Sequence, residues 1–373
     1  MKRALALLLT LCMVLSISAC GQGTSETSSS GAVGAGSASS GQPGEETGYK
    51  TITNVDGTEI QVPVTVERIG CLFGPSYEKV VVLGAEDKIV FDGDFHSYSW
   101  PWSNVIYQYV NDVPGIPNAH SEPNIEDLMT YEPDVVFNFP NPTTTATMEA
   151  AGMSVVPSAS TGSYDDVVKM LEVYAQAIGG DAPEIAQTYA DYFYAMTDMI
   201  AQRVAEVPEE ERPTVYFANQ EILNCSDKTD LIQRCGGIAV AAELSGTVTV
   251  EKEQLLAWNP DYIFVDHAGS SGNATAEEVV AEMLSDADYQ SMTAVTDDNV
   301  IIVPTGVFFW DSGVQQPLLM LLMAQTMYPE LFSDVDMKAT LIDFYSQFFY
   351  YDLSDTEAEQ ILAHLDPVTE AVS

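Results

Sequence analysis

One segment of this chain occurs twice. Glu126-Asp127-Leu128-Met129-Thr130-Tyr131-Glu132-Pro133-Asp134-Val135-Val136-Phe137 is matched 127 residues later by Glu253-Gln254-Leu255-Leu256-Ala257-Trp258-Asn259-Pro260-Asp261-Tyr262-Ile263-Phe264. Glu, Leu, Pro, Asp and Phe recur at identical offsets. Each copy reads as a short helix stopped by proline, because the residue before a proline is steered out of the helical region, followed by a buried strand. Residues 152–157 and 299–304 repeat a second strand-like run further on. A helix–strand unit present at two places predicts two similar lobes.

The rest of the pattern agrees. Short β-branched runs at 68–73, 88–91, 134–138, 154–156, 214–218, 261–266 and 299–303 alternate with helical stretches, which is the pattern of α/β layers with right-handed crossovers. Between the lobes, 164–178 is helically periodic, Gly179-Gly180 interrupts, and 182–207 continues with Pro183 in a permitted first-turn position. Ile185, Tyr189, Tyr192, Phe193, Met196, Met199, Ile200 and Val204 form a stripe at helical spacing. The predicted fold is α/β: a first lobe at 49–163, an interlobe helical region at 164–208, and a second lobe with C-terminal helices at 209–373. One long rigid interlobe helix joins the lobes, with a ligand cleft between them.

The N-terminus adds a location. Lys2 and Arg3 precede an apolar run from 4 to 17, shorter than the roughly 20 residues that span a bilayer and the right length for a signal-peptide core. Ile17-Ser18-Ala19-Cys20-Gly21 resembles the lipobox of bacterial lipoproteins, which implies a signal peptide at 1–19 and lipid on Cys20. Residues 21–48 hold eight Gly and seven Ser, a composition that buries no core and behaves as a flexible tether reaching about 30 Å. The expected location is outside the cytoplasm, on the outer face of the cell membrane.

Net charge is −42, with 55 acidic against 13 basic residues. Nucleic acid and anionic headgroups are therefore poor partners for the body, and the charge itself is adequately explained by solubility. Cys225 and Cys235 are close enough in sequence to pair, and an exported setting permits that disulfide without requiring it. Cys71 stands alone, and no Cys-x-x-Cys or Cys/His zinc spacing occurs.

Several stretches together resemble one family. They are Asp56-Gly57-Thr58-Glu59-Ile60-Gln61-Val62-Pro63, Gly84-Ala85-Glu86-Asp87-Lys88-Ile89-Val90, Cys235-Gly236-Gly237, Trp258-Asn259-Pro260-Asp261 and Tyr328-Pro329-Glu330-Leu331-Phe332. In this order, covering nearly all of 50–366, the chain resembles the substrate-binding receptors with a helical backbone that feed siderophore, haem and cobalamin ABC importers. The resemblance implies two Rossmann-like lobes and a ligand held between them. It also implies a permease dimer, with its cytoplasmic ATPase, docked through one acidic residue on each lobe. The matching positions are Glu126 and Glu253, whose alternative explanation is a helix-start glutamate favoured by the dipole. A monomer with no intrinsic cofactor is expected.

Ligands of open α/β sheets bind beyond the strands' C-terminal ends, which selects loops at 73–77, 92–102, 138–142, 219–220, 266–267 and 305–311. Tyr77, His96, Tyr98, Trp100, Trp102, Asn141, His267, Phe308, Phe309 and Trp310 are the candidate ligand-binding residues. Aromatics in polar loops suit a pocket, though they also serve as packing under a loop. No Lys or Arg lies in these loops, which disfavours trianionic chelates, unless Lys79 or Arg234 swings in. Asp92, Asp94, Asp266 and Asp311 point to a neutral or cationic cargo with broad apolar faces. A corrinoid such as cobalamin or a ferric hydroxamate fits first, and haem next. No resident metal is expected, His96 and His267 being the candidates if a side chain reaches the cargo's metal. His364 reads as a surface residue. The chain shows no nucleophile elbow, phosphate-binding loop or His-Glu-x-x-His helix, so it is not expected to be an enzyme. The rival reading is an anchored chelate-processing enzyme or ligand sensor on the same fold without a permease partner.

Overall fold

The computed structural model describes residues 48–95, 100–266 and 275–367. Cys20, His96, Tyr98 and His267 lie outside them. A hairpin of β1 (Tyr49–Thr53) and β2 (Glu59–Pro63) precedes two sheets. The first has the order β4-β3-β5-β6, all parallel, from β3 (Ile69–Cys71), β4 (Ile89–Asp92), β5 (Val135–Asn138) and β6 (Val155–Pro157). The second contains β7 (Thr214–Asn219), β8 (Glu221–Ser226), β9 (Ile238–Ala239), β10 (Thr247–Thr249), β11 (Tyr262–Asp266) and β12 (Val300–Ile302). Its order is β10-β8-β7-β11-β12, with β9 also on β7; the core strands are parallel, and β8 runs antiparallel to both of its neighbours, β7 and β10. All seven strands expected from the sequence are present.

The helices are α1 (Gly74–Val82), α2 (Ser103–Ile106), α3 (Ile125–Thr130), α4 (Pro142–Ala150), α5 (Asp166–Ile178) and α6 (Ala182–Val204) in the first half. The second half supplies α7 (Thr229–Arg234), α8 (Lys252–Trp258), α9 (Ala276–Ser285), α10 (Thr293–Thr296), α11 (Gln316–Met327), α12 (Met337–Phe348) and α13 (Asp355–Leu362). Among the described residues, no helix is long and apolar enough to cross a membrane.

The duplicated segment has a physical purpose in both places. α3 leads to β5 and α8 leads to β11, with Glu132 and Asn259 held at φ 47° and 42° just before the prolines. Asp134 Oδ2 accepts from the backbone N–H groups of Glu67 and Arg68, at the mouth of β3. Asp261 Oδ2 accepts from the N–H and hydroxyl of Thr214, at the start of β7. Each aspartate thus fastens the strand beside its own and sets the register of the central pair.

Strand residues alternate between two destinations. Ile69, Cys71, Val135 and Phe137 of the first sheet, with Val215, Phe217 and Phe264 of the second, belong to one continuous core. Their neighbours Leu72 and Val136 face an outer core of the first lobe, and Tyr216, Ala218, Ile263 and Val265 an outer core of the second. This is the period of two expected of strands buried on both faces. The central core is filled by α5, α6, α11, α12 and α13; Phe137 and Tyr174, for example, stack at 3.8 Å.

The connecting helix α6 is present as expected, with Gly179 and Gly180 both at positive φ in the break before it. It does not act alone. The C-terminal helices, grouped with the second lobe on sequence, also pack on the first. Tyr350 Oη donates to Val82 O at 2.9 Å and Trp102 Nε1 to Leu365 O at 2.8 Å. Tyr189 of α6 donates to Val314 O at 2.7 Å. Cys71, Cys225 and Cys235 are all buried free thiols, so the disulfide that the spacing permitted is absent; Cys235 Sγ is instead directed at Met320 O.

Candidate functional site

The C-terminal ends of β3, β4 and β5 converge on one side of the first lobe. After β4 the chain leaves and returns: Asp92 N–H donates to Pro114 O, and Ile116 N–H donates to Asp92 O. This return carries His120 back to the strand ends. Asn141 caps α4, its Oδ1 accepting from the N–H groups of Thr143 and Thr144, while its Nδ2 donates to His120 O at 3.0 Å. Thr144 Oγ1 donates to Ser121 O at 3.0 Å. Asn141 therefore holds the His120 loop in place.

His120 stacks on Phe139, with ring centroids 4.5 Å apart at 14°, and Phe73 meets both rings edge-on. All three are partly exposed. His120 Nε2 lies 2.7 Å from Asp94 Oδ1, and Asp94 Oδ2 accepts from Gly74 N–H at 2.5 Å. Gly74 is also where the second lobe arrives, since a Cβ there would overlap the Phe308 ring and stand 3.1 Å from Asp94 Oδ2. Only glycine allows that approach. Phe308 then packs on Trp100 at 4.8 Å and Phe95 at 5.9 Å, and Trp100 meets Phe309 edge-on at 4.8 Å. Rings of both lobes thus pack together at Gly74 as part of the shared core.

Beside it lies a cavity of about 440 Å³ lined by Ser160, Tyr164, Lys228, Asp230, Asp311 and Gln316, among others. Lys228 Nζ pairs with Asp311 Oδ2 at 2.8 Å. Burial pulls the ammonium pKa down, but Asp311, Asp266 and Asp227 more than offset this and hold it above its ordinary value. The cation is already over-compensated by protein carboxylates. Lys79 and Arg234 do not swing in. Lys79 is buried, donating to Pro75 O at 3.1 Å, and Arg234 pairs with Asp230 and Asp165 at 2.9 and 3.0 Å.

The aromatic residues expected in the pocket divide into two sets. Trp100, Phe308 and Phe309 pack on one another where the lobes meet, each less than a tenth exposed. Tyr77, Trp102 and Trp310 are core residues. Tyr77 donates to Glu86 Oε1 at 3.0 Å, Trp102 is spent on Leu365, and Trp310 is fully buried. Burial pushes the Tyr77 hydroxyl pKa far up, with the Glu86 charge adding to it. Large rings in these loops gain about 2 kcal/mol or more each by leaving water, and neighbouring rings offered the burial. His364, expected on the surface, is half-buried with Nδ1 3.4 Å from Thr305 Oγ1, and burial lowers its pKa. Among the described residues no group of three or more His, Cys, Asp or Glu could hold a metal ion.

His120, Phe139 and Lys228 were missed. His120 sits in a long aperiodic stretch, and only the pairing of Asp92 with the 114–116 segment brings it to the strand ends. Lys228 lies just ahead of α7, beyond an antiparallel strand, so a rule built on parallel strand ends does not reach it. Glu126 and Glu253 occupy equivalent places in the first turns of α3 and α8, both exposed.

Two α/β lobes sharing a helical core, with a crevice at their strand ends, define a two-lobed solute-binding protein. The profile described as periplasmic binding protein matches residues 69–305, and the chain belongs to that family. It is 25% identical over 265 residues to the molybdate-binding protein MolA of Haemophilus influenzae, covering 63% of this chain and 72% of that protein. A periplasmic solute binding protein from Veillonella parvula superposes with a TM-score of 0.72 at 23% identity, over 85% of this chain and 97% of its own. Helicobacter pylori CeuE, solved with Ni(II) bound, gives 0.67 at 20% identity over 84% and 99%.

Proposed function

We propose that this chain is the extracytoplasmic substrate-binding lipoprotein of an ABC importer for a metal chelate, anchored through Cys20. A corrinoid or ferric hydroxamate is the favoured cargo and haem the next. The observation that carries the reading is the meeting of the lobes at Gly74, where the partly exposed cluster of Phe73, His120 and Phe139 adjoins the buried cluster of Trp100, Phe308 and Phe309. Such a surface suits a ligand with broad apolar faces.

Charge narrows the cargo. Asp92, Asp94, Asp266 and Asp311 stand near the strand ends, and Lys228, which faces Asp266 and Asp311, is already neutralised. A bare oxyanion such as the molybdate named for the Haemophilus relative would need donors with charge to spare. We therefore do not carry that substrate across. Glu126 and Glu253 are assigned to permease docking on the strength of their matching, exposed positions.

The test is fluorescence titration of the chain from residue 20 onward, with Cys20→Ser, against cobinamide, cobalamin, ferrioxamine, ferrichrome and haemin. Trp100, where the lobes meet, should be quenched saturably by at least one of them. Saturable binding of molybdate or a trianionic ferric catecholate alone would overturn the reading of the charge.

A further inference from the structure

The structure assigns His120 as a side chain that coordinates the metal of the cargo directly through Nδ1, so that the cargo is a chelate with an exchangeable coordination position. This rests on the proposed chelate-binding role and narrows it.

Three observations converge. First, His120 Nε2 is buried 2.7 Å from Asp94 Oδ1, a close contact without the alignment of a hydrogen bond, while Asp94 Oδ2 accepts from Gly74 N–H. A carboxylate oxygen that close favours the tautomer with the proton on Nε2, which leaves Nδ1 as the nitrogen with a lone pair to offer. A carboxylate behind an imidazole is the usual arrangement for metal-ligating histidines, because it fixes the tautomer and raises the basicity of the other nitrogen. Second, the ring is built in. Phe139 stacks on one face, Phe73 abuts its edge, and Asn141 and Thr144 bind the backbone of His120 and Ser121. Third, the pair is graded outward. The Asp94 side chain is 6% exposed and that of His120 32%, so the carboxylate is withdrawn and the imidazole faces the crevice. Gly74 and Phe308 place this pair at the meeting of the two lobes.

One histidine cannot hold a free ion against water, and no further ligand cluster stands among the described residues. It can complete the shell of a metal whose other positions a chelator fills. On binding, the Nδ1–metal bond forms, a metal-bound water leaves, and the proton stays on Nε2, beside Asp94. Metal oxidation state does not change. Corrinoids and haem have such axial positions, whereas a hexadentate ferric hydroxamate has none. An axial histidine thus separates the cargo classes that charge alone leaves together.

The experiment is visible absorption titration of the mature chain with diaquocobinamide and with haemin, ferrioxamine B serving as the coordinatively filled control. Wild type should bind at least one open complex with the band shift of water replaced by imidazole. His120→Phe, which keeps an aromatic stack without a lone pair, should bind it with the aquo spectrum retained and with roughly tenfold weaker affinity. Asp94→Asn should give a reduced shift, and melting curves verify that both variants are folded. A wild-type complex with an unshifted spectrum overturns the assignment. So does a shift that survives in His120→Phe, including one abolished by His96→Ala or His267→Ala instead. Binding of ferrioxamine B alone overturns it and leaves the chelate reading standing. Binding of none of the three removes both.

Discussion

The Glu78 carboxylate, on the first helix of the first lobe, accepts a hydrogen bond at 3.2 Å from Nε2 of Gln315, which opens α11. Gln315 Oε1 in turn accepts from Tyr345 Oη at 2.7 Å, and its amide also donates to Phe308 O. A Cβ at Gly313 would overlap Glu78, so the backbone there is shaped around the carboxylate. Fully buried, Glu78 has its pKa pushed up from 4.5 to about 8, a rise that the adjoining Lys79 charge partly counters.

This gives a pH signature. The folded form holds a proton that the unfolded chain has lost, so the contribution is complete below the ordinary carboxylate range and disappears as pH rises toward about 8. Denaturant melts of wild type between about pH 5 and 8 should show stability falling with pH. Glu78→Gln should flatten that slope. Equal slopes in the two proteins would remove Glu78 as its source.

Glu126→Ala with Glu253→Ala should leave cargo affinity unchanged and reduce uptake by whole cells roughly tenfold or more, a loss of about 1.4 kcal/mol in docking being worth that factor. Neither glutamate touches the crevice aromatics, so a matched loss of binding would point to misfolding. Undiminished uptake by the double variant would dismiss the docking role.

Lys228→Met should destabilise the fold by on the order of 3 kcal/mol, because Asp311 and Asp266 lose the cation that faces them. Adding Asp311→Asn should recover part of that loss. Urea midpoints of the single and double variants measure it. A single variant as stable as wild type would contradict the charge balance described for the cavity.

Asn141→Ala removes the cap of α4 and the bond to His120 O together. About 1 kcal/mol of stability should go with the cap. Cargo affinity should fall further than in Thr143→Ala, whose backbone N–H still donates to Asn141 Oδ1. Melting curves and quenching titrations of the two variants separate these effects.

Reductant should not change the melting temperature, since Cys71, Cys225 and Cys235 are buried thiols. Thiol titration in denaturant should find all three reactive without prior reduction.

Much of the fold was legible because its signals are local. Pro133 and Pro260 stop helices wherever they stand, and Asp134 and Asp261 repeat because each binds the start of a neighbouring strand. The crevice was half legible. Strand ends are found by counting, which led to the loops of Trp100, Phe308 and Phe309. Whether a ring in such a loop faces solvent depends on what packs from elsewhere. Trp102 Nε1 donates to the carbonyl of Leu365, 263 residues away, and no spacing rule anticipates that. His120 was invisible for the converse reason, being brought to the strand ends by a two-residue pairing at Asp92.

The alternation of strand residues between a shared core and two private ones has a consequence for how such proteins can be recombined. The heritable module is not the lobe. A first lobe grafted onto a relative's second lobe would keep its own outer core but meet foreign residues along α6 and α11–α13, which fill the common centre. A chimaera that respects the packing must move those helices together with the inward-facing Val135, Phe137, Phe217 and Phe264, while leaving the loops free to vary. Specificity can drift in such a molecule without renegotiating its spine.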